Sequence, residues 1–250
     1  MIVWITGASS GLGRELARQY VEAGHQVCVS ARNTEALNEL AEACREAKGG
    51  VHVFGLDVTD MAQVGACFDR ISETVGVPDL SVLNAGTYIR NSAKNFDRED
   101  FRKLMDINYM GVVNCLQAII PVCIEQQRGD IAVVSSVAGY RGLPYASAYG
   151  ASKAALINLC ESLQPELAAA DVGLHLVNPG FVRTPLTDLN EFPMPFLMEV
   201  EDAAARIIKG LAGKSFEITF PRRFTWLVKI LRLLPYAVYL RLTKRLLRNA

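Results

Sequence analysis

The chain has 250 residues, half of them hydrophobic and 21% charged, a globular composition that excludes a disordered or low-complexity protein. Its 26 basic and 26 acidic residues cancel, and Met1 runs at once into the strand-like Ile2-Val3-Trp4-Ile5, leaving no room for a cleavable signal sequence. The six cysteines (Cys28, Cys44, Cys67, Cys115, Cys123 and Cys160) lack paired spacing such as C-x-x-C, so no metal site is expected and they read as small buried hydrophobes of a reducing cytoplasm.

Short β-branched runs alternate with helical periodicity along most of the chain. Strands are expected at Ile2–Thr6, Gln26–Ser30, Val51–Gly55, Leu80–Asn84, Asp130–Ser135, Leu174–Asn178 and Phe216–Phe220. Helices are expected at Leu12–Ala23, Thr34–Ala47, Met61–Val75, within Asp97–Gln126, at Ala148–Ala170 and at Glu201–Leu211. Apolar strands each followed by a helix predict an α/β fold: a Rossmann-type, doubly wound, mostly parallel seven-stranded sheet with helices on both faces. Ligands would bind at the carboxyl ends of its strands. The uncharged stretch Gly111–Ile124 is short for a bilayer span and reads as a buried helix. With no repeat and no linker, residues 1–220 read as a single domain and 221–250 as a C-terminal helical extension.

The first strand runs into Thr6-Gly7-Ala8-Ser9-Ser10-Gly11-Leu12-Gly13, where a helix opens. Glycines permit positive φ and close backbone approach, and the helix N-terminus offers free N–H donors and a positive dipole end. That combination suits a dinucleotide pyrophosphate. NAD sites place an acid at the end of the second strand to hold the ribose 2′-hydroxyl. Here Ser30-Ala31-Arg32-Asn33 stands instead, and the Arg32 guanidinium, with Arg14 assisting, suits a 2′-phosphate. NADP(H) is therefore favoured over NAD(H).

The buried strand from Asp130 ends in the hydroxyls of Ser135 and Ser136, and Tyr149-Gly-Ala-Ser-Lys153 opens a later helix. A spacing of four residues stacks Tyr149 and Lys153 on one helix face. A phenol near its ordinary pKa is a poor acid–base catalyst, and a neighbouring ammonium is expected to bring it down toward working pH.

In order along the chain, Thr6–Gly13, Asp57, Asn84-Ala85-Gly86, Asn108, Ser136, Tyr149, Lys153 and Asn178-Pro179-Gly180 with Thr184 resemble the short-chain dehydrogenase/reductase family in its compact form. The resemblance implies an enzyme that moves a hydride between nicotinamide and a carbonyl or alcohol carbon. Tyr149 would be the general acid or base, Lys153 would bind the nicotinamide ribose, Ser136 would polarise the carbonyl, and Asn108 would hold a water linking Lys153 to solvent. It further implies a cofactor site of Gly7, Ser9, Ser10, Gly11, Leu12, Gly13, Arg32, Asp57, Val58, Asn84, Ala85, Gly86, Tyr149, Lys153, Pro179, Gly180, Val182 and Thr184. A small-molecule carbonyl or alcohol substrate and a homo-oligomer, dimer or tetramer, follow from the same likeness. Two departures stand out: Leu83 replaces the first Asn of the family's Asn-Asn-Ala-Gly, and Pro165 would kink the helix that often forms the subunit interface.

By the same likeness residues 185–213 form a substrate lid, within which Phe192, Met194, Phe196, Leu197 and Met198 are expected to line a site for a hydrophobic substrate. The extension holds eight of the 26 bases and no acid. Arg241, Lys244, Arg245 and Arg248 fall on one helical face, Tyr239, Leu242 and Leu246 on another, and Trp226, Leu227, Ile230, Leu231, Leu233 and Leu234 are nearly continuous apolar surface. Peripheral contact of a cytoplasmic protein with the inner face of an anionic membrane is one reading; packing on its own acidic body or on a partner subunit is the other. Bases interleaved with aliphatics do not suit nucleic acid. The contrasting function is a non-catalytic NADP-binding or membrane-recruited scaffold that keeps the fold; loss of Ser136, Tyr149 or Lys153 would favour it, and all three are present.

Overall fold

The computed structural model describes residues 1–187 and 194–246. Seven strands, β1 (Ile2–Thr6), β2 (Gln26–Ala31), β3 (Gly50–Gly55), β4 (Leu80–Leu83), β5 (Asp130–Val134), β6 (Gly173–Pro179) and β7 (Glu217–Phe220), form one sheet in the order β3-β2-β1-β4-β5-β6-β7. Every neighbouring pair is parallel, so the sheet is wholly rather than mostly parallel. The chain winds outward from β1 to β3, then crosses back to β4 and winds the other way. The reversal opens a crevice between the carboxyl ends of β1 and β4, the place where such sheets bind ligands.

The helices are α1 (Gly11–Glu22), α2 (Thr34–Ala43), α3 (Met61–Thr74), α4 (Arg98–Met105), α5 (Gly111–Gln126), α6 (Ser147–Ala168), α7 (Val200–Ala212), α8 (Arg222–Leu233) and α9 (Tyr236–Leu246). Alternation along the strands builds a core on each face. Val3 and Ile5 pack with Leu16, Leu37 and Ile207 of α1, α2 and α7. Trp4 packs on the other side with Phe68, Ile119 and Leu156 of α3, α5 and α6. The indole N–H of buried Trp4 donates to Ser30 Oγ at 2.8 Å, so this core nitrogen is satisfied.

The helical run from Arg98 to Gln126 falls within the stretch expected to be helical and, beyond its short uncharged part Gly111–Ile124, is long and apolar enough to cross a membrane by length and composition. Its α5 portion nevertheless buries Val112, Cys115, Leu116, Ile119 and Cys123 in the core of one sheet face. And α6 continues three residues past Pro165 to Ala168, so the proline, although it lacks the backbone donor for its own helical bond, does not end the helix.

At the amino ends of β5 and β6, buried His175 faces an acceptor on each ring nitrogen: Ser215 O at 2.8 Å and Asp130 Oδ1 at 3.1 Å. Burial opposes the imidazolium, but the Asp130 bond and the Ser215 carbonyl outweigh it, and the His175 pKa is raised. This pair should stabilise the fold fully below the unfolded histidine value of about 6.5, and its contribution should fade as pH rises through the raised folded value. Thermal melts of wild type and His175→Gln should therefore differ most in mildly acidic buffer and converge as the pH rises. A gap that widens with pH would contradict the assignment.

Candidate active site

The turn after β1 is shaped by what it packs against. Gly7 has φ +69°, and a Cβ there would lie 2.7 Å from the Ala85 Cα. Thr6 Oγ1 accepts from the Asn84 and Ala85 N–H groups at 3.1 Å each, while Asn84 Nδ2 donates to the Thr6 and Gly7 carbonyls at 3.1 Å. Side chain and backbone thus staple the turn across the crevice to the end of β4. A Cβ at Gly13 would strike Asn84 Nδ2 and Gly7 O, both at 2.5 Å. Gly13 is therefore needed for packing behind the turn, and it does not line the cleft.

Ser10 caps α1 with extended backbone but no side-chain bond, and no acid stands in the first turn. The first N–H groups of α1 consequently lack an intrahelical or side-chain acceptor, beside a cleft lined by Gly7, Ser9, Ser10, Gly11 and Leu12. The donor set fits a pyrophosphate.

This cleft has a volume of about 580 Å³ and extends to two other groups of residues. One comprises Arg32, Asp57 and Val58 with Ser30, Asn33 and Leu56; the Arg32 guanidinium is exposed and 4.0 Å from the Asp57 carboxylate. The other comprises Ser135, Ser136, Tyr149 and Lys153, with Asn84, Ala85, Gly86, Pro179, Gly180, Val182 and Thr184 also on the walls. Of the residues expected to hold a cofactor, all but Gly13 line this one cavity. Arg14 does not reach it: its guanidinium donates to Ala36 O at 2.9 Å.

Ser136 stands just past β5 and caps the 3-10 turn Val137–Gly139 by accepting from Ala138 N–H at 3.1 Å. Its hydroxyl faces the Tyr149 phenol and favours the phenolate, and Tyr88 packs edge-on against that ring with centroids 5.2 Å apart. Lys153, one turn further along α6, is buried and donates from Nζ to Val134 O at 2.9 Å. Its Nζ lies 5.8 Å from the centre of the Tyr149 ring.

The phenol is raised here, against the expected lowering. Burial pushes Tyr149 up to about 12, against a smaller downward pull from Ser136 and with a further rise from Tyr88. Burial also brings Lys153 down to about 8. The ammonium spends its bond on a carbonyl, so desolvation decides both values.

Asn108 lies behind the cleft wall rather than on it. It sits in a widened, π-type turn, Asp106–Met110, between α4 and α5. Its amide donates to Thr87 O and Ser152 Oγ at 3.0 and 3.1 Å and accepts from Thr87 N–H at 2.8 Å. A Cβ at Gly86 would come within 3.2 Å of Asn108 Oδ1 and 3.6 Å of Lys153 Nζ, so the three meet around one small space.

Several participants escaped the sequence reading. Ser135 Oγ donates to Lys153 O at 2.8 Å, tying the end of β5 to α6; the doubled serine was its only signal. Asn114, a polar residue within the apolar stretch Gly111–Ile124, donates to Val58 O at 2.9 Å and so fixes one cleft wall. On the lid, none of Met194, Phe196, Leu197 and Met198 lines the cleft. Met198 is buried in the core, and Phe196 stacks toward Phe224 of α8 at 6.1 Å; Phe192 lies outside the described residues.

The model of the short chain dehydrogenase family matches residues 1–192. The chain belongs to the short-chain dehydrogenase family. It is an oxidoreductase of that family, and a Myxococcus xanthus oxidoreductase is 37% identical to it over 245 residues, 97% of this chain and 96% of the relative. Several further relatives are longer, and this short-chain dehydrogenase spans 59% to 62% of their length. Among solved structures, a short-chain dehydrogenase from Sphingobium yanoikuyae in complex with NADPH superposes with a TM-score of 0.80 at 26% identity, covering 88% of this chain and 87% of that one. A member from Burkholderia phymatum in complex with NAD gives 0.84 at 26% identity, covering 91% of each. The neighbours thus bind either nicotinamide cofactor.

Proposed function

We propose that this short-chain dehydrogenase uses NADPH to reduce the carbonyl of a hydrophobic ketone or aldehyde. The observation that carries the reading is the single cleft joining an exposed guanidinium, an uncapped helix N-terminus and the Ser136–Tyr149–Lys153 group. Arg32 supplies the fixed positive charge that a 2′-phosphate requires. The first turn of α1 and its dipole hold the pyrophosphate, and Lys153 binds the nicotinamide ribose. When bound, the nicotinamide supplies the hydride.

The chain supplies position and the proton. Ser136 Oγ donates to the substrate oxygen and fixes its distance from Tyr149. The Tyr149 phenol, held protonated by burial at neutral pH, gives its proton to that oxygen as negative charge develops there. In the reverse direction the phenolate takes the proton back. Asn108, Gly86 and Lys153 surround the space for a water that resupplies it.

Six buried, unpaired thiols support a reducing cytoplasmic setting. The assembly proposed is a homo-oligomer, dimer or tetramer.

The test is a panel of aromatic and long-chain ketones and aldehydes, followed by loss of nicotinamide absorbance with NADPH and with NADH. Turnover of apolar carbonyls with a clear NADPH preference is expected. Activity restricted to small polar substrates, or an NADH preference, would remove the corresponding half of the proposal.

A further inference from the structure

The last two helices leave an unusual outer surface. α8 turns Thr225 and Val228 into the body, while Trp226, Leu227, Ile230 and Leu233 share the opposite face. That face is open to solvent: Trp226 is 67% exposed and Leu233 is 84% exposed. Arg222 and Arg223 stand exposed at its amino end, and Arg241, Lys244 and Arg245 are exposed on α9. Tyr239 points inward, and Arg248 lies outside the described residues. Among the described residues the tail's one ion pair is Lys229 with Glu217.

Both helices are held by their inner faces. Arg141 donates to the carbonyls of Leu231, Arg232 and Leu234 and lies over the rings of Tyr236 and Tyr239, at 5.3 and 3.9 Å from their centres. The Tyr239 hydroxyl donates to Gly142 O, and Glu217 accepts from Tyr140, Lys229 and Asn178. The body therefore already satisfies the inward side. The outward apolar side is unclaimed.

We infer that α8 and α9 form a docking face for an anionic phospholipid bilayer, lying in the plane of the headgroups. A twelve-residue helix is too short to cross a bilayer but can bury one apolar face at its boundary. Charge complementarity selects the partner: eight bases with no acid in the last thirty residues suit anionic headgroups, which would meet the exposed cations while the acyl region takes Trp226, Ile230 and Leu233. A second copy of this chain would set Arg222 and Arg223 of each protomer on the same like-charged face. The face also adjoins the cleft. Phe224 of α8 packs on Phe181 with centroids 5.7 Å apart and lies against Gly180, a cleft-wall residue, so docking holds the active-site mouth at the lipid.

The full chain carries its own reporter. Of its two tryptophans Trp4 is fully buried and Trp226 is exposed, so an emission shift on adding vesicles reads α8. With equal parts phosphatidylglycerol and phosphatidylcholine, the wild type is expected to float with the vesicles, shift to the blue and be released by high salt; with phosphatidylcholine alone it should do none of these. The L227S/I230S/L233S triple variant, and separately R222E/R223E, should each bind at least about tenfold more weakly. Size-exclusion profiles and cofactor binding of both variants should match wild type. Absence of flotation, equal binding to neutral vesicles, or unchanged binding by R222E/R223E would overturn the inference. So would a wild-type dimer that the triple variant splits.

Discussion

Replacing Tyr149 with Phe is expected to lower kcat for carbonyl reduction by about 10²- to 10⁴-fold, the usual contribution of a positioned proton donor. The ring, its edge contact with Tyr88 and the packing of α6 all survive this change, and only the hydroxyl that meets Ser136 is removed. NADPH should bind within about threefold of wild type, since no phosphate contact is touched. An ultraviolet difference titration between the two proteins checks the same group independently. With Tyr149 pushed up to about 12 by burial, the extra phenol of the cofactor-free wild type should stay un-ionised through pH 10. Unchanged kcat in Tyr149→Phe would remove the phenol from the proton transfer, whereas a wild type that binds NADPH and turns over no carbonyl would favour the scaffold reading.

Arg32→Ala should act on the opposite part of the cleft and on one cofactor only. A hydrogen-bonded charge on a phosphate is worth about 1.5–3 kcal/mol, so the KM for NADPH should rise roughly 10- to 150-fold while that for NADH changes little. The neighbouring Asp57, 4.0 Å away, adds to the contrast. Once Arg32 is gone its carboxylate has no cation there and repels a 2′-phosphate. A variant that loses NADPH and NADH equally would mean that Arg32 is structural. These two substitutions lie in separate parts of the cleft and share no partner, so their free-energy effects should add.

The sheet was legible because its signal is local and repeated. β-branched runs at Ile2–Thr6, Gln26–Ala31 and Asp130–Val134 alternate faces, and each helix that follows declares itself by period. Strand ends moved by a residue or two, with consequences at the site: Asn84 and Ser135 fall just beyond the ladder, and that frees their side chains to bind across it. The Gly-rich turn and the Tyr149–Lys153 spacing were also local patterns. What stayed hidden depended on partners far along the chain. Helical periodicity runs straight through the π-type turn that aims Asn108 at Thr87, and nothing near Asn114 announces Val58 as its acceptor. The direction of the Tyr149 shift was misjudged for a similar reason. Spacing brought the ammonium near, but the carbonyl that engages it, Val134 O, belongs to another element.

Arg141 has a consequence for anyone re-engineering this protein. It sits in the connection between Ser136 and Tyr149, yet its bonding capacity is spent on the final helices. Cutting the chain after Phe220 would thus strip the guanidinium of its three acceptors among the described residues and loosen the segment that spaces the two hydroxyls.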